Sequence, residues 1–597
     1  MQRYRLITII SFFMFHLQSF GIETTKISTQ AQFDAAIERI NKGEEMQLQL
    51  ASNLFYLKDR VKARSPLSIV GDNATIVCCS VKYVPKEAVS VTDTHVVYRV
   101  KSNLSIFPLF FNDNGEIYQV SESVIDSIGV NIAEGEFIVP EQYSAGAQVQ
   151  IPIPNNLIHL RNKVFSNSFG YFDCGWQVIN FRLLRSDDRY FHCTTLNSCS
   201  TKNYQFDNKT YRKPIRFVIY NAELKKDAVY YDNSFLYVPK TIGGLNCINK
   251  DDVYKQTPTV TSQSDLILDG IQFMGFDGIS VVSESKNKCI IRNCKFQDCL
   301  GPALVIRKRV DRDLEVAVIN NCKFINCSFQ NDHCIKIYGT CSGKTCVSLS
   351  DCTIARNRDG RILYKNSVGS VSVEGDVSIS RNVMFNSPRG HLFLKQGKIT
   401  VTDNVFYNSD VFNANYERNI CSDWGMIYCN HLYKDTESAL NDTTSKIVIE
   451  RNLIYGAYSY GNQARGIYID DGRGDVECRN NVILNTQSYS MDSRNVKLTD
   501  ASSARNQFIG NIVTSRYQLA SGPAVKGINR PVSRGNILLD SRENVTSGVN
   551  VLEEDSRLEI DSECSFQDGK VMVSRALYKT LRRSPAWRSI NHHVGRK

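Results

Sequence analysis

The segment Cys289–Phe296 reads CIIRNCKF, and 28 residues further on Ala317–Phe324 reads AVINNCKF. Both segments run from a short apolar strand pattern into a polar turn and back into apolar residues. Related phrases, with Asn or Asp at the turn, recur at 401–406, 449–454, 478–483 and 534–538. Segments this short cannot bury a core alone, but strands that stack on their copies in the next repeat can. The sequence therefore predicts an all-β, right-handed parallel β-helix with coils of about 23 to 30 residues.

The turn of this phrase carries residues that we interpret as structural. Asn and Asp fit turns that need a left-handed backbone or a bond from side chain to backbone. Cys294, Cys322 and Cys352 share the next repeat position, and Cys299 and Cys327 share another. Equivalent positions in neighbouring coils lie about 4.8 Å apart. Many of the 19 cysteines are therefore predicted to form ladders of small buried thiols and not a disulfide framework.

A second strand row is predicted where a five-residue strand pattern follows a glycine, at Gly301, Gly360, Gly390, Gly425 and Gly466. These glycines should lie in register. Strand alternation should point the second and fourth residues after each glycine inward and the fifth outward. The outward residue becomes polar in the later coils, as Lys365, Lys395, Asn430 and Asp471. The 41 residues from Gly425 to Gly466 exceed one coil, so we expect an insertion there, at 431–446.

The chain ends differ from the repeats. Arg3 and Arg5 precede the apolar run 6–15, which is typical of a secretory signal and too short for a comfortable membrane span. No cysteine follows closely, so we expect a secreted or periplasmic protein without a lipid anchor or membrane span. We expect a signal at 1–21, a cap and first coil at 22–84 with a helix over 32–40, and an inserted β-rich domain at 85–240. Coils should follow at 241–545, and a closing segment at 546–597.

The chain carries a formal charge of +10. In an exported protein this suits an acidic partner such as a uronate-containing or sulfated glycan, although a generally basic surface is the equal alternative. Nucleic acid is not expected, because no dense Lys/Arg tract with interleaved aromatic residues is present. The expected partner is a poly- or oligosaccharide. The oligomeric state is left open.

The best group of acidic residues spans two adjacent predicted coils. Asp423 precedes the Gly425 strand, and Asp470 and Asp471 follow the Gly466 strand. Cleavage of a glycosidic bond needs one carboxyl that holds a proton and one that acts as nucleophile or activates water. Crowding raises the pKa of one carboxyl of such a group and so supplies the acid. We therefore predict Asp423 and Asp471 as the catalytic pair, with Asp470 assisting.

Aromatic and basic residues of the same coils are the predicted substrate contacts. Trp424 offers a flat platform for a sugar ring. The remaining candidates for substrate contact are Tyr428, Tyr468, Lys395, Lys365, His391, Arg361 and Arg473. Arg473 is alternatively a turn residue. Asp470 and Asp471 alternatively belong to a turn, and alternation would point Asp470 inward unless the turn intervenes.

The two phrases SDWGMIY at 422–428 and GIYIDDG at 466–472 resemble those of bacterial right-handed β-helix glycoside hydrolases. The resemblance extends to a pectate-lyase-like N-terminal cap, an inserted domain before the main coils and Ser584-Pro585-Ala586 near the end. It implies glycoside hydrolysis on a plant or host glycan, without naming the substrate. Trp424 and Met426 stand where the group usually has smaller residues, so the pocket is expected to have a different shape.

Two other functions remain open. Polysaccharide lyases on this fold use a Lys or Arg base, often with Ca²⁺, and Arg361, His391, Lys365 and Lys395 form two short predicted rows. No metal is required by the sequence, but Asp470, Asp471 and Asp475 offer oxygen ligands that would suit Ca²⁺. A non-catalytic glycan-binding solenoid fits the repeats equally well, and only the paired acidic phrases argue against it.

Overall fold

The computed structural model describes the following residues: 23–57, 59–78, 88–91, 94–99, 109–112, 117–119, 128–131, 142–143, 146–153, 158, 161–162, 164–173, 178–195, 199–200, 204–206, 209–211, 216–220, 230–231, 235–241, 245–247, 260–274, 279–284, 288–297, 299, 302–310, 317–325, 327, 333–341, 345–355, 370–387, 390–409, 425–430, 445–457, 465–470, 474–486, 489–494, 505–513, 518–521, 532–539, 556–558, 564–568 and 570–597. The predicted signal segment lies outside these residues.

Each coil contributes three short strands, and each strand pairs in parallel with its counterpart in the next coil. Two strands of a coil flank a tight turn and belong to one large parallel sheet, whereas the third belongs to a separate 11-stranded sheet. The inner faces of all three rows share one continuous hydrophobic core. The predicted all-β parallel β-helix is therefore confirmed.

Three rows of strands build the coils. The row before the turn contains Met46–Leu50, Leu67–Cys78, Leu266–Met274, Cys289–Arg292, Ala317–Asn320, Val347–Ser350, Val377–Ser380, Lys398–Thr402, Lys446–Glu450, Val476–Arg479, Gln507–Ile509 and Val532–Arg534. The row after the turn contains Leu54–Leu57, Lys295–Gln297, Lys323–Ile325, Thr353–Ala355, Val383–Ser387, Val405–Ser409, Leu453–Ala457, Val482–Thr486, Ile512–Val513, Ile537–Leu539 and Ser556–Leu558. The long strands Leu67–Cys78 and Leu266–Met274 pass through the turn, and their later parts pair within this row as well. The third row, called the site row below, contains Val61–Ala63, Val260–Ser262, Ile279–Glu284, Leu304–Val310, Ile335–Cys341, Val371–Gly375, Leu392–Leu394, Gly425–Cys429, Arg465–Ile469, Met491–Arg494 and Gln518–Ser521.

An excursion of mainly antiparallel strands interrupts the first coils. Strand Leu67–Cys78 pairs directly with Leu266–Met274, so the chain between them leaves the solenoid and returns to it. Its largest sheet has the order Ile128–Asn131, Arg216–Tyr220, Val164–Asp173, Val178–Ser186, Tyr190–Thr195 and Gln148–Pro152. Smaller sheets are formed by Ala88–Val91, His95–Arg99, Tyr230–Tyr231 and Phe235–Pro239, by Leu109–Asn112, Ile117–Gln119 and Leu245–Cys247, and by the pairs Gln142–Tyr143 with Cys199–Ser200 and Tyr204–Phe206 with Lys209–Tyr211. The described strands between 88 and 247 thus pair outside the three rows of the coils, and the predicted bounds of an inserted domain at 85–240 stay a prediction.

The two ends of the chain cover the stack. Strand Thr25–Ile27 and helix Gln30–Asn41 form the N-terminal cap, and Thr29 closes a capping box at the helix start. At the other end, strands Ser565–Gln567, Lys570–Val573 and Val594–Arg596 and helices Arg575–Leu581 and Trp587–Ile590 form one unit. Its buried side chains pack on outward residues of the row after the turn, among them Tyr407 and Tyr455. The C-terminal segment therefore runs back along the stack.

The tight turn holds a continuous polar ladder, called the turn ladder below. The residue before the ladder has a left-handed backbone in coil after coil: Asn293, Asn321, Asp351, Arg381, Asp403, Arg451, Asn480, Gly510 and Gly535. The ladder itself consists of Cys294, Cys322, Cys352, Asn382, Asn404, Asn452, Asn481, Asn511 and Asn536, all nearly or fully buried. The predicted structural role of the turn residues is therefore confirmed.

Cysteine and asparagine make the same contacts in this ladder. The Cys322 backbone N–H donates to Cys352 Sγ at 3.4 Å, and the Cys352 N–H donates to Asn382 Oδ1 at 2.9 Å. Hydrogen bonds with Cys294 and Cys352, together with burial, raise the pKa of Cys322 well above its usual value. Cys294, Cys322 and Cys352 are buried and form no disulfide, so their predicted stacking is confirmed.

The predicted glycine register of the site row is wrong for the Gly466 and Gly301 phrases. Leu392 aligns with Ile427, so Gly390 and Gly425 correspond, but Gly425 aligns with Arg465 and not with Gly466. Leu304 aligns through Ile335 and Val371 with Leu392, so the third residue after Gly301 in the sequence corresponds to the second residue after Gly390. Gly360 lies outside the described residues, and strand Val371–Gly375 holds the place predicted for its phrase. A five-residue apolar phrase fits a strand at either register, and the core, not the glycine, decides which residues face inward.

Candidate functional site

The one-residue shift changes which side chains of the site row face outward. Ile467 and Ile469 enter the core, so Tyr468 and Asp470 lie on the outer face. The prediction that alternation points Asp470 inward is therefore wrong. Along the stack, Phe393, Tyr428, Tyr468 and Asp492 align in one outward column.

A carboxylate held by two tyrosines marks this outer face. Tyr428 Oη donates to Asp470 Oδ2 at 2.5 Å, and Tyr468 Oη donates to Asp470 Oδ1 at 2.7 Å. Asn430 Nδ2 donates to Tyr428 Oη at 2.8 Å, which orients the first phenol. Asp470 is buried, with 7% of its surface exposed, and Asn430 is the more exposed member of this group. Asp470, Tyr428, Tyr468 and Asn430 are called the Asp470 cluster below.

A buried ion pair supports the cluster from the adjacent coil. Arg465 Nε lies 2.5 Å from Asp492 Oδ2, and both side chains are fully buried. The Arg465 guanidinium lies over the Tyr468 ring, 4.1 Å from its centroid. A cation at this distance from a ring face is attracted to it, more strongly when water is excluded. Arg465 therefore fixes the ring whose hydroxyl reaches Asp470.

Two glycines let these strands approach closely. A Cβ on Gly425 would lie 2.9 Å from Tyr468 Cβ, and a Cβ on Gly466 would lie 2.6 Å from the Ser490 carbonyl oxygen. Real Cβ atoms do not come this close to such neighbours, so any side chain would push the Tyr468 strand away. Gly425 and Gly466 therefore allow the close packing of the strands that carry the cluster.

Aromatic rings extend the outer face toward the N-terminal coils. The Phe393 ring is half-buried and stacks on Tyr428 with centroids 5.3 Å apart. His333 stacks on the other side of Phe393 at 5.6 Å. Lys395 Nζ lies 5.5 Å from the Phe393 centroid and 3.7 Å from Glu374 Oε2, with its side chain 19% exposed. The predicted substrate candidate Lys395 thus lies on the same face as the Asp470 cluster.

His391 has a different environment. It is fully buried, its Nε2 lies 2.9 Å from the Tyr407 carbonyl oxygen, and its ring packs near Phe406. The structure gives this histidine a packing role and no surface for a glycan.

Several predicted site residues lie outside the described residues, and their predictions stay open: Asp423, Trp424, Asp471, Arg473, Arg361 and Lys365. Asp471 directly follows Asp470 in the chain, and Asp423 stands two residues before Gly425. In the stack, Glu374 stands in the position before Lys395 that the sequence prediction gave to Lys365.

The proposed calcium ligands Asp470 and Asp475 are engaged elsewhere. Asp470 binds the two tyrosines, whereas Asp475 lies at a left-handed turn and pairs with Arg505 at 2.8 Å. In the described segments, no group of three or more His, Cys, Asp and Glu side chains is placed to hold a metal ion. Calcium binding through Asp471 stays a prediction.

Sequence reasoning missed Arg465, Asp492 and Phe393. Arg465 and Asp492 stand 27 residues apart in different coils, and no motif links them. Phe393 had a usable signal, because it stands between the inward residues Leu392 and Leu394 of a recognised strand phrase.

The fold and the cluster together define the class: a parallel β-helix with a tyrosine-bound carboxylate on the outer face of one strand row. No protein-family model matches the chain, and no curated protein does. No helix among the described residues has the length and apolar character needed to cross a membrane.

Several solved structures show a low similarity to this chain. A structure described as a glycoside hydrolase is 11% identical, with a TM-score of 0.41, and the match covers 85% of this chain and 91% of that one. The complex of XylC with xylose is 10% identical, with a TM-score of 0.40 and coverage of 88% and 83%. The tailspike protein gp49 from Pseudomonas phage LKA1 is 11% identical, with a TM-score of 0.24 and coverage of 85% and 71%.

Proposed function

We propose that this chain is a glycoside hydrolase whose reaction centre lies at the Asp470 cluster. The observation that carries the proposal is the carboxylate itself. Both oxygens of Asp470 accept hydrogen bonds from tyrosine hydroxyls, at 2.5 and 2.7 Å, on the outer face of the site row. Buried carboxylates need partners, and the two tyrosine hydroxyls satisfy this one and fix its orientation.

The hydrogen bonds favour one chemical role for Asp470. Because both of its oxygens act as acceptors, it is arranged as a carboxylate, the form that a nucleophile or a general base needs. The proton donor to the leaving oxygen must then be a second carboxyl. Asp471 is the nearest candidate along the chain, and Asp423 is the other.

The strand arrangement favours Asp471 as this partner. Strands Gly425–Cys429 and Arg465–Ile469 lie side by side in parallel. Asp423 therefore precedes the start of one strand, whereas Asp471 follows the end of the other. Each strand residue spans about 3.3 Å, so Asp423 meets Asp470 only if the chain before Gly425 folds back along the strand.

Substrate contacts are proposed for the outward aromatic and charged residues. The half-buried ring of Phe393 offers an apolar face for a sugar, and Lys395 stands beside it. Phe393 and Lys395 are the partly exposed residues at this end of the column, and a solenoid face of this kind suits a poly- or oligosaccharide. Trp424 and Arg473 are proposed to flank the same site from the adjoining segments.

Elimination of a uronate is the less favoured chemistry. A lyase needs a basic side chain that can accept a proton from the substrate. Lys395 is engaged with Glu374 at 3.7 Å, and His391 is fully buried. Among the described basic candidates, neither Lys395 nor His391 is an available base, whereas the Asp470 cluster supplies the carboxylate that hydrolysis requires.

We further propose that the enzyme acts outside the cytoplasm, since Arg3, Arg5 and the apolar run 6–15 have the pattern of a secretory signal. N-terminal sequencing of protein from the native cell envelope or medium should find a start near residue 22. An intact Met1 on the exported protein would contradict cleavage at this point.

The experiment that tests the function is a panel of plant and host glycans: xylan, a fucosylated glycan, a neutral β-glucan and polygalacturonate. Reducing-end release and the absorbance of unsaturated uronates are followed together. Hydrolysis gives reducing ends without unsaturated products, which is the expected result. Both signals together would establish elimination instead. Binding to a panel member without either signal would establish a non-catalytic solenoid.

A further inference from the structure

A cavity lies away from the site row, between the C-terminal segment and the turn ladder. It has a volume of about 930 Å³, which is within the range of pockets that hold small ligands. Helix Trp587–Ile590 and the residues before it form one wall. The turns of three coils, at Arg381, Asp403 and Arg451, form the other.

The lining of this cavity is strongly basic. Four arginines line it, Arg381, Arg451, Arg582 and Arg588, against the single carboxylate of Asp403. Arg381 donates to both oxygens of Asp351, and Arg451 donates to both oxygens of Asp403 at 2.8 and 3.0 Å. Although burial opposes it, the bonds from Arg451 and Ser589 lower the pKa of Asp403, so this carboxyl stays ionised.

Two of the arginines have no such counterion. Arg582 and Arg588 are exposed, and neither forms an ion pair with a side chain in the described part of the chain. Burial lowers the pKa of His593, so this imidazole is neutral near pH 7. The positive charge of the cavity therefore comes from its arginines. Asp351 and Asp403 pair with Arg381 and Arg451, so two of the four arginines that line the cavity have no acidic partner among the described residues.

We propose that this cavity binds an acidic saccharide through an oxyanion, a carboxylate or a sulfate ester, held by Arg582 and Arg588. The planar guanidinium presents paired donors that match a carboxylate or sulfate edge. Trp587 lines the same cavity and is half-buried, which adds an aromatic surface for the sugar ring. Ser584 lines it as well and supplies a hydroxyl.

This site goes beyond the proposed hydrolase centre. The Asp470 cluster lies on the site row, whereas the cavity lies at the turns between the other two strand rows. A saccharide bound there is held without being cleaved, so the cavity would keep an acidic polymer on the surface of the protein.

Binding can be measured by titration calorimetry with three probes of equal length: tetragalacturonate, a κ-carrageenan tetrasaccharide that carries only sulfate, and neutral cellotetraose. The test variant is the double substitution Arg582→Gln and Arg588→Gln. The control, Arg575→Gln with Arg583→Gln, removes two exposed arginines of the same segment that do not line the cavity.

The expected result is binding of at least one anionic probe, with a Kd raised about tenfold or more in the test variant and unchanged in the control. Which anionic probe binds identifies the carboxylate or the sulfate as the recognised group. Trp587→Phe should remove any change in tryptophan fluorescence on binding. Equal weakening in both double variants, equal binding of cellotetraose, or no binding of either anionic probe would overturn the proposal. Because the readout is binding, loss of this site is distinguishable from loss of hydrolysis.

Discussion

The turn ladder and the Asp470 cluster both contain buried polar side chains, but only the ladder is repetitive. Each buried asparagine of the ladder makes the same hydrogen bonds as the asparagine in the next coil. The pair of tyrosine hydrogen bonds to Asp470 is not repeated in any other described coil. Asn452 Nδ2 donates to the Val401 carbonyl at 2.9 Å, and Asn481 Nδ2 donates to the Ile449 carbonyl at 2.9 Å, one coil later. Asp470 instead binds two tyrosines. In a solenoid, a buried polar group that recurs stabilises the stack. A buried polar group that occurs in a single coil does not stabilise the stack in this way, so it needs another explanation.

The largest loss of unfolding free energy is expected when the buried ion pair between Arg465 and Asp492 is broken. Arg465→Met leaves the fully buried carboxylate of Asp492 without this guanidinium and removes the cation from the Tyr468 ring. Breaking a buried pair from one side costs about 3–5 kcal/mol. Chemical denaturation should show a loss of unfolding free energy of that order.

The double variant Arg465→Met with Asp492→Leu distinguishes the cost of an unpaired buried charge from the cost of altered side-chain packing. It should recover a substantial part of the stability, because no buried charge remains. If Arg465→Met alone unfolds at the same denaturant concentration as the unchanged protein, the pair does not support the cluster.

A smaller effect is expected in the turn ladder. Asn452→Leu removes the partner of the Val401 carbonyl and of the Asn404 backbone N–H, both in the interior. Each buried group left without a partner costs about 1–3 kcal/mol, and the costs of neighbouring groups in one network are not additive, so we expect a loss of about 2–4 kcal/mol by the same measurement.

Asn480→Gly is the matched control for this ladder variant. Asn480 has φ 55°, and glycine adopts such a backbone readily, so the turn is kept. Its effect should be much smaller than that of Asn452→Leu. Equal losses from both variants would show that the turn conformation, not the ladder, supplies the stability.

The smallest change in stability is expected at Cys352, where the cysteines of the ladder give way to the asparagines that begin at Asn382. Cys352 already donates its backbone N–H to Asn382 Oδ1, and its Sγ accepts the N–H of Cys322. Cys352→Asn would extend the asparagine ladder by one coil, with a change in stability within about 1 kcal/mol. A much larger loss would show that the thiol and amide ladders are not interchangeable.

The repeat could be predicted because its information is local. The phrases around Cys294 and Cys322 contain both a strand and its turn, so stacking followed from their spacing. The register of the site row could not be predicted in the same way. A glycine stands at the start of both Gly425–Cys429 and the GIYID phrase, yet Arg465 occupies the place of Gly425 because Ile467 and Ile469 fill the core.

The site could be predicted only in part. Asp470, Tyr428 and Tyr468 follow from the two phrases, although the wrong register hid their common face. The contact between Arg465 and Asp492 joins different coils and depends on packing that no local pattern encodes. The proposed pairing of Asp423 with Asp471 stays a prediction.

The central claim, that Asp470 serves chemistry and not the stack, is tested most directly by Asp470→Asn. Activity on the glycan identified by the panel is compared with that of Asp475→Asn, which changes a turn carboxylate paired with Arg505. We expect kcat/KM of Asp470→Asn to fall by about a thousandfold or more, with an almost unchanged melting temperature, whereas Asp475→Asn keeps its activity. Substantial activity in Asp470→Asn, or a loss of activity matched by early melting, would contradict the claim.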